Sequence, residues 1–158
     1  MLKDEHVYYV DGACTVSEKV GAWAVVQLLP YEDEAGYTGI RTLSFSGSKK
    51  EATGNEMELT AAFMAITKAY KEGAKQVTIF TDSAYLANSI TKNWLLNWFK
   101  SGWKTKEGNP VKNQEIWKKL YKLVYCKEIV VRIVQVRAHI GDPLNELADT
   151  IAVEAKNK

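Results

Sequence analysis

Sulfur and imidazole are scarce in this 158-residue chain, which holds only two cysteines and two histidines. Cys14 and Cys126 are too few and too far apart for a zinc motif, and two histidines exclude a histidine-rich transition-metal site. A disulfide between the cysteines stays open on sequence alone; buried free thiols are the expectation in a reducing compartment. No apolar run approaches the roughly 18 residues of a spanning helix, so no membrane partner is expected. The N-terminal Met1–His6 is too acidic and too short of apolar residues for a secretory signal, which makes a cytoplasmic location the default. Internal repeats, low-complexity tracts and long linkers are missing too. Any bound metal should therefore be held by oxygen, which favours magnesium or manganese.

Apolar residues make up 46% and charged residues 25% of the chain, the balance of an ordinary globular protein. This length suits one domain over residues 1–158, with a single core and, lacking an obvious apolar patch, a monomer. The net charge of +2 hides an asymmetry. Residues 92–122 carry Lys92, Lys100, Lys104, Lys106, Lys112, Lys118, Lys119 and Lys122 against Glu107 and Glu115, a local +6 that leaves −4 elsewhere. Four of the five tryptophans (Trp94, Trp98, Trp103, Trp117) share that stretch. Interleaved lysines and aromatics are a footprint of nucleic-acid contact, but a solvated amphipathic helix with core tryptophans fits equally well.

Alternation predicts strands at His6–Asp11, at Val20–Leu29 (stopped by Pro30) and at Ile40–Ser48, joined closely enough to form an antiparallel meander. The period then changes. Leu59, Ala62, Phe63, Ile66 and Tyr70 mark a helix over Asn55–Glu72. A strand over Gln76–Thr81 follows a helix and is best placed parallel to the first. Short helices at Ser83–Thr91 and Trp94–Lys100, a loop at Trp103–Pro110, a helix at Asn113–Cys126 and a strand at Ile129–Val136 come next. Asp142 as cap and Pro143 at the first helical position open a last helix, whose stripe is Leu144, Leu147, Ala148, Ile151, Ala152 and Ala155. The whole reads as an α/β fold, a mixed five-stranded sheet of three antiparallel then two parallel strands, with helices on both faces.

Two of the strands end on acids, Asp11 and Asp82, and a charge at the tip of a buried strand is costly without a partner. Glu58 and Asp149 each lie one position off the apolar stripe of a helix, where they can face a shared cleft. Carboxylates held close repel, so such a cluster destabilises the free fold and favours bound divalent cations. Two ions about 4 Å apart can activate a water and stabilise the departing oxygen of a phosphodiester. A single acid is more often simply solvated, and Thr81-Asp82-Ser83 also reads as a helix cap.

Five motifs in order carry a family likeness: Tyr-Val-Asp11-Gly-Ala-Cys, Thr53-Gly-Asn55-Glu-Met-Glu58-Leu-Thr-Ala, Phe-Thr-Asp82-Ser83-Ala-Tyr, Pro110-Val-Lys112-Asn113-Gln and His139-Ile-Gly-Asp-Pro-Leu-Asn145-Glu-Leu-Ala-Asp149. From about residue 6 to residue 155 the chain resembles type 1 ribonuclease H, which cuts the RNA strand of RNA–DNA hybrids. The resemblance implies that Asp11, Glu58, Asp82 and Asp149 hold two magnesium ions with substrate, manganese being a substitute. It implies hydrolysis to 5′-phosphate and 3′-hydroxyl ends, one ion serving the attacking water and the other the leaving oxygen. His139 matches a loop histidine that assists proton transfer or product departure, and Asn145 a residue that orders that loop or the site, or else caps the helix.

Thr53 and Asn113 match positions that grip a DNA phosphate, and Asn55 one that reaches the hybrid's minor groove. The backbone around Gly12 and Cys14, and Ser83 beside Asp82, fall among the substrate-contacting positions. Trp94–Lys112 resembles the basic protrusion of many bacterial members, with Lys100, Lys104, Lys106 and Lys112 on phosphates and Trp94, Trp98 or Trp103 against sugars; of the three, Trp94 is the first choice for plain core. Ala13, Gly54 and Ala84 replace a common serine, asparagine and glutamine, so fewer polar contacts with the hybrid are expected.

Overall fold

Three β-rich runs separated by short polar turns fold back on one another. In the computed structural model, which describes residues 5–137 and 142–158, β1 (Glu5–Thr15), β2 (Val20–Glu32) and β3 (Thr38–Lys50) form the antiparallel meander. β4 (Gln76–Thr81) runs parallel to β1, and β5 (Val130–Gln135) parallel to β4, in the order β3-β2-β1-β4-β5. The helices are α1 (Gly54–Lys71), α2 (Ala84–Thr91), α3 (Trp94–Lys100), α4 (Gln114–Tyr125) and α5 (Pro143–Lys156). None of the described helices is long and apolar enough to cross a membrane.

The period-2 alternation of β1 decides which helices lie where. Tyr8 and Val10 face α1 through α4, in a core with Val25, Leu59, Ile66, Ile79, Leu86, Leu95 and Trp117. Tyr9 faces the other way, toward Val26 and Ala148 of α5, and stacks on Phe80 at 4.7 Å. Each fully buried aliphatic side chain stabilises the fold by about 1.5–3 kcal/mol relative to exposure. Trp117 is wholly buried and donates its indole N–H to the Tyr85 hydroxyl at 3.0 Å.

Four expectations need correcting. β1 continues past Asp11 to Thr15, because its pairing with β2 runs on to Thr15↔Val20 after the pairing with β4 has ended at Tyr9↔Phe80. β2 passes through Pro30, which pairs with Ile40 where β1 no longer lies alongside; a proline is tolerated on such an open side. α5 is rotated relative to the expected stripe: Leu147 is exposed, and Asn145 is buried with Ala148, Ala152 and Ala155. The cysteines are free thiols as expected, but Cys14 is half-buried and Cys126 exposed.

Candidate active site

The site forms where β1 and β4 part company. Asp11 stands opposite Ala24 of β2, two residues beyond the last β1–β4 pair, and Asp82 directly follows β4. Both acids thus lie just past the carboxyl end of the parallel β1–β4 pairing, the usual place for ligands in open α/β sheets. α1 brings Glu58 to them from one face of the sheet. Its start is set by Thr53, whose hydroxyl accepts from the Glu56 amide at 3.1 Å. α1 can lie this close to β1 only because residue 12 is glycine: a Cβ there would sit 2.6 Å from the Glu58 amide nitrogen. The Gly12 N–H in turn donates to Glu58 Oε1 at 3.1 Å.

Ligand oxygens of Asp11, Glu58 and Asp82 all lie within 4.8 Å of one another. Asp149 joins from α5 on the opposite face, hydrogen-bonding Asp11 and adding its negative charge to the field at Glu58. All four sequence-predicted carboxylates therefore converge. Burial raises the Asp11 carboxyl to about 10, with the Glu58 and Asp82 charges pushing the same way. Burial also raises Glu58, to about 7, although its hydrogen bond with Asp11 works against the rise. Both shifts point the same way, so the crowded Asp11–Glu58 pair favours holding a proton between them.

One buried oxygen on each of these two residues, Asp11 Oδ2 and Glu58 Oε2, has no hydrogen-bond donor among the described residues. Hard carboxylate oxygens, crowded together and short of donors, fit a divalent cation of the magnesium or manganese type. Among the described residues the N–H directed at the pair is that of Gly12, and no described lysine or arginine stands in for a cation there.

The remaining predicted residues divide into three groups. Ser83 caps α2 by accepting from the Leu86 amide at 3.1 Å, which leaves Asp82 to the acidic cluster rather than to capping. Asn145 does not cap α5. Asp142 does, accepting from the Leu144 and Asn145 amides at 3.1 and 3.3 Å, while the Asn145 side chain is buried with both polar atoms lacking partners among the described residues. His139 lies outside the described residues.

Farther out, Cys14 donates its thiol to the Ala52 carbonyl at 3.0 Å and, with Thr53, Lys19 and Glu51, lines a concavity of about 690 Å³. Asn113 adopts a left-handed backbone before α4, and its side chain forms no cap. With Trp23, Lys49, Phe63 and Lys119 it borders a second concavity, of about 640 Å³. Asn55, Lys100, Lys104, Lys106 and Lys112 are exposed. Trp98 packs on the core against Trp117 at 5.2 Å, and Trp103 packs on the core as well, while Trp94 is half-buried at its margin. The expectation that Trp94 is the plainest core residue of the three is thereby reversed.

Two contacts had no expectation behind them. Lys49 of β3 pairs with Glu56 in the first turn of α1, and Gly21 admits Met57, whose Cγ would lie 2.6 Å from a Cβ at that position. The Thr53-x-x-Glu56 spacing was the available signal for a charged, capped helix start.

The profile of the RNase H family matches residues 3–157. Ribonuclease H of Caldicellulosiruptor saccharolyticus is 38% identical over 148 residues, covering 94% of this chain and 93% of the relative. Ribonuclease H of Neorickettsia sennetsu is 35% identical over 149 residues, covering 94% and 91%. LC9-RNase H1, a type 1 RNase H with the type 2 active-site motif, superposes with a TM-score of 0.82 at 26% identity, covering 99% of this chain and 74% of that one. The foamy viral protease-reverse transcriptase solved with an RNA/DNA hybrid shares the fold, with a TM-score of 0.78 at 23% identity over 99% of this chain and 21% of that one. Sequence, fold and acidic cluster agree: the chain belongs to the RNase H family of divalent-metal-dependent nucleases.

Proposed function

We propose that this chain is a single catalytic domain that hydrolyses internal phosphodiesters in the RNA strand of RNA–DNA hybrids, leaving 5′-phosphate and 3′-hydroxyl ends. The observation that carries the reading is the meeting of Asp11, Glu58 and Asp82, with Asp149 alongside, around buried oxygens that lack donors. Asp11, Glu58, Asp82 and Asp149 would hold two magnesium ions, or manganese in their place. Held there, the ions would supply Lewis acidity to an attacking water and to the departing 3′ oxygen.

The protein's own part is positioning. Gly12 fixes one oxygen of Glu58 by its amide, so the other is turned to the cluster in a defined place. Asp11 is the hub, touching Glu58 and Asp149 and feeling Asp82. His139 carries a proton to or from the scissile group, and Asn145 holds that loop or the neighbouring site in order. Thr53 and Asn113 take a DNA phosphate away from the cut, with Gly12, Cys14 and Ser83 near the substrate backbone. Asn55 reads 2′-hydroxyls in the minor groove, where RNA differs from DNA. Lys100, Lys104, Lys106 and Lys112 neutralise DNA-strand phosphates, and Trp94, Trp98 or Trp103 packs beneath or against sugars. Ala13, Gly54 and Ala84 reduce the polar contacts available to the hybrid. The enzyme acts as a monomer in the cytoplasm on this reading.

An end-labelled hybrid incubated with magnesium tests it. Cleavage confined to the RNA strand, stopped by EDTA and lost in Asp11→Asn, supports the proposal; substantial magnesium-dependent cleavage by Asp11→Asn contradicts it.

A further inference from the structure

Part of the basic segment has no role in the reaction above. On α4 the buried side is Trp117, Leu120 and Leu123. Lys118, Tyr121, Lys122 and Tyr125 recur at i, i+3, i+4 and i+7 and so share a neighbouring side, with Tyr121 at its border still packing on the core. Phe99 of α3 lies on Tyr121 with ring centroids 4.2 Å apart and planes 6° from parallel, and Tyr125 continues the row at 5.2 Å from Tyr121. Phe99 is 47% and Tyr125 38% exposed, so the row offers aromatic surface to solvent. Beside it, Trp103, Tyr121, Lys118, Lys119 and Lys122 line a concavity of about 410 Å³, with Glu115 and Cys126 at its border. Lys119 is partly committed to the Phe63 ring, and Glu115 lies 4.0 Å from Lys118; neither draws on Lys122.

Two exposed aromatic residues, Phe99 and Tyr125, joined through Tyr121 and flanked by Lys118 and Lys122, suit a polyanion whose units are flat and unpaired. We propose that Phe99, Tyr121 and Tyr125, with Lys118 and Lys122, form a binding surface for single-stranded nucleic acid flanking the duplex. Paired bases present no free faces, whereas unpaired ones stack on aromatic rings while lysines follow the backbone. Trp103, which edges both this row and the hybrid-contacting segment, makes the two surfaces continuous. An acidic peptide would be drawn to the lysines but would gain nothing from the stacked rings.

The inference goes beyond the nuclease reading, and its test does not need catalysis. Fluorescence anisotropy in EDTA would follow binding of a labelled oligothymidylate, of a blunt RNA–DNA hybrid and of that hybrid with a single-stranded tail. Lys118→Glu/Lys122→Glu and Tyr125→Leu are the variants, the second keeping apolar bulk while removing the aromatic face. Each is expected to weaken oligothymidylate binding by about tenfold, to abolish the advantage of the tailed hybrid, and to leave blunt-hybrid affinity and cleavage near wild type. Unchanged oligothymidylate binding in both variants overturns the proposal, as does equal weakening on blunt and tailed hybrids. So does weakening by Lys118→Glu/Lys122→Glu alone, since a purely ionic surface would take an acidic peptide as readily. If the wild type binds oligothymidylate but cleaves no hybrid, the nuclease reading fails and this surface stands.

Discussion

β1 carries a polar cluster at each end, and the two are built on opposite rules. Near its start, His6 and Tyr8 meet Gln27, Lys68 and Glu72. Lys68 donates to Gln27 Oε1 at 2.8 Å and to Glu72 Oε2 at 2.7 Å, and His6 Nδ1 lies 3.2 Å from the Tyr8 hydroxyl and 3.6 Å from Glu72. The Lys68 hydrogen bond holds Glu72 below the usual carboxylate range. Donors meet acceptors there, and a cation is built in. At the other end, Asp11, Glu58 and Asp82 crowd together with Asp149 alongside, and two buried oxygens, on Asp11 and Glu58, have no donor among the described residues. Satisfied polar groups support a fold, whereas buried like charges oppose it unless something external compensates. The contrast separates a cluster that serves the fold from one that is completed by a ligand.

The largest effect that can break this contrast is Asp11→Asn. Losing several kcal/mol of charge stabilisation in the transition state corresponds to a fall of about a thousandfold or more in kcat on a hybrid. Unfolding melts in EDTA should show the variant more stable than wild type, because the repulsion is relieved. A second handle is the cation itself. Magnesium at about 100 times its dissociation constant should stabilise the wild type by about 2.7 kcal/mol, read as a rise in Tm, and should leave Asp11→Asn almost unmoved.

Acidity gives a third, with a sign set by the shifts. Asp11 and Glu58 rise from ordinary values of 3.8 and 4.5 to about 10 and about 7, so the folded protein binds more protons than the unfolded chain between those limits. Stability of the metal-free protein is therefore highest near pH 4 from this source. It is lost as pH climbs through 7 and on toward 10. Denaturant titrations in EDTA at pH 5, 7 and 9 should show that decline, flattened in Asp11→Asn; a rise with pH would contradict the cluster as described.

Gly12→Ala probes the scaffold rather than the charge. Its Cβ would meet the α1 backbone, which cannot rotate away, so a loss of about 1–3 kcal/mol is expected, together with reduced activity as Glu58 shifts. Lys68→Met should be the mildest: about 1 kcal/mol from the closed network, with hybrid cleavage unchanged. A large activity loss in Lys68→Met would erase the division of labour along β1.

Much of this was readable in the chain because period and chemistry agreed. The meander, the helix from Thr53 and the Asp142-Pro143 start of α5 each follow from local patterns that tertiary packing did not override. The misreadings have a common cause in pairing partners far along the sequence. Asp11 looks like a strand end because β4 stops there, although β2 does not. Pro30 looks like a stop because the end of β2's pairing with β1, at Leu28, is a property of the sheet. Leu147 fits the i, i+3 spacing from Leu144, yet alanines at 148, 152 and 155 let the adjacent arc settle on the sheet and take Asn145 inside. The four acids could be singled out by their positions on strands and helices and by family likeness. Their convergence was expected, but its route was not legible, since Asp149 reaches Asp11 from the opposite face of the sheet and Glu58 reaches it through a glycine's missing side chain.

Manganese soaked into crystals of the wild-type protein and located by anomalous scattering puts the most direct question to the acidic cluster. The account predicts a peak within about 2.0–2.3 Å of Asp11 Oδ2 and Glu58 Oε2, absent from crystals of Asp11→Asn treated alike. Manganese bound only elsewhere, or unbound with both oxygens still unpaired at saturating concentration, would contradict it.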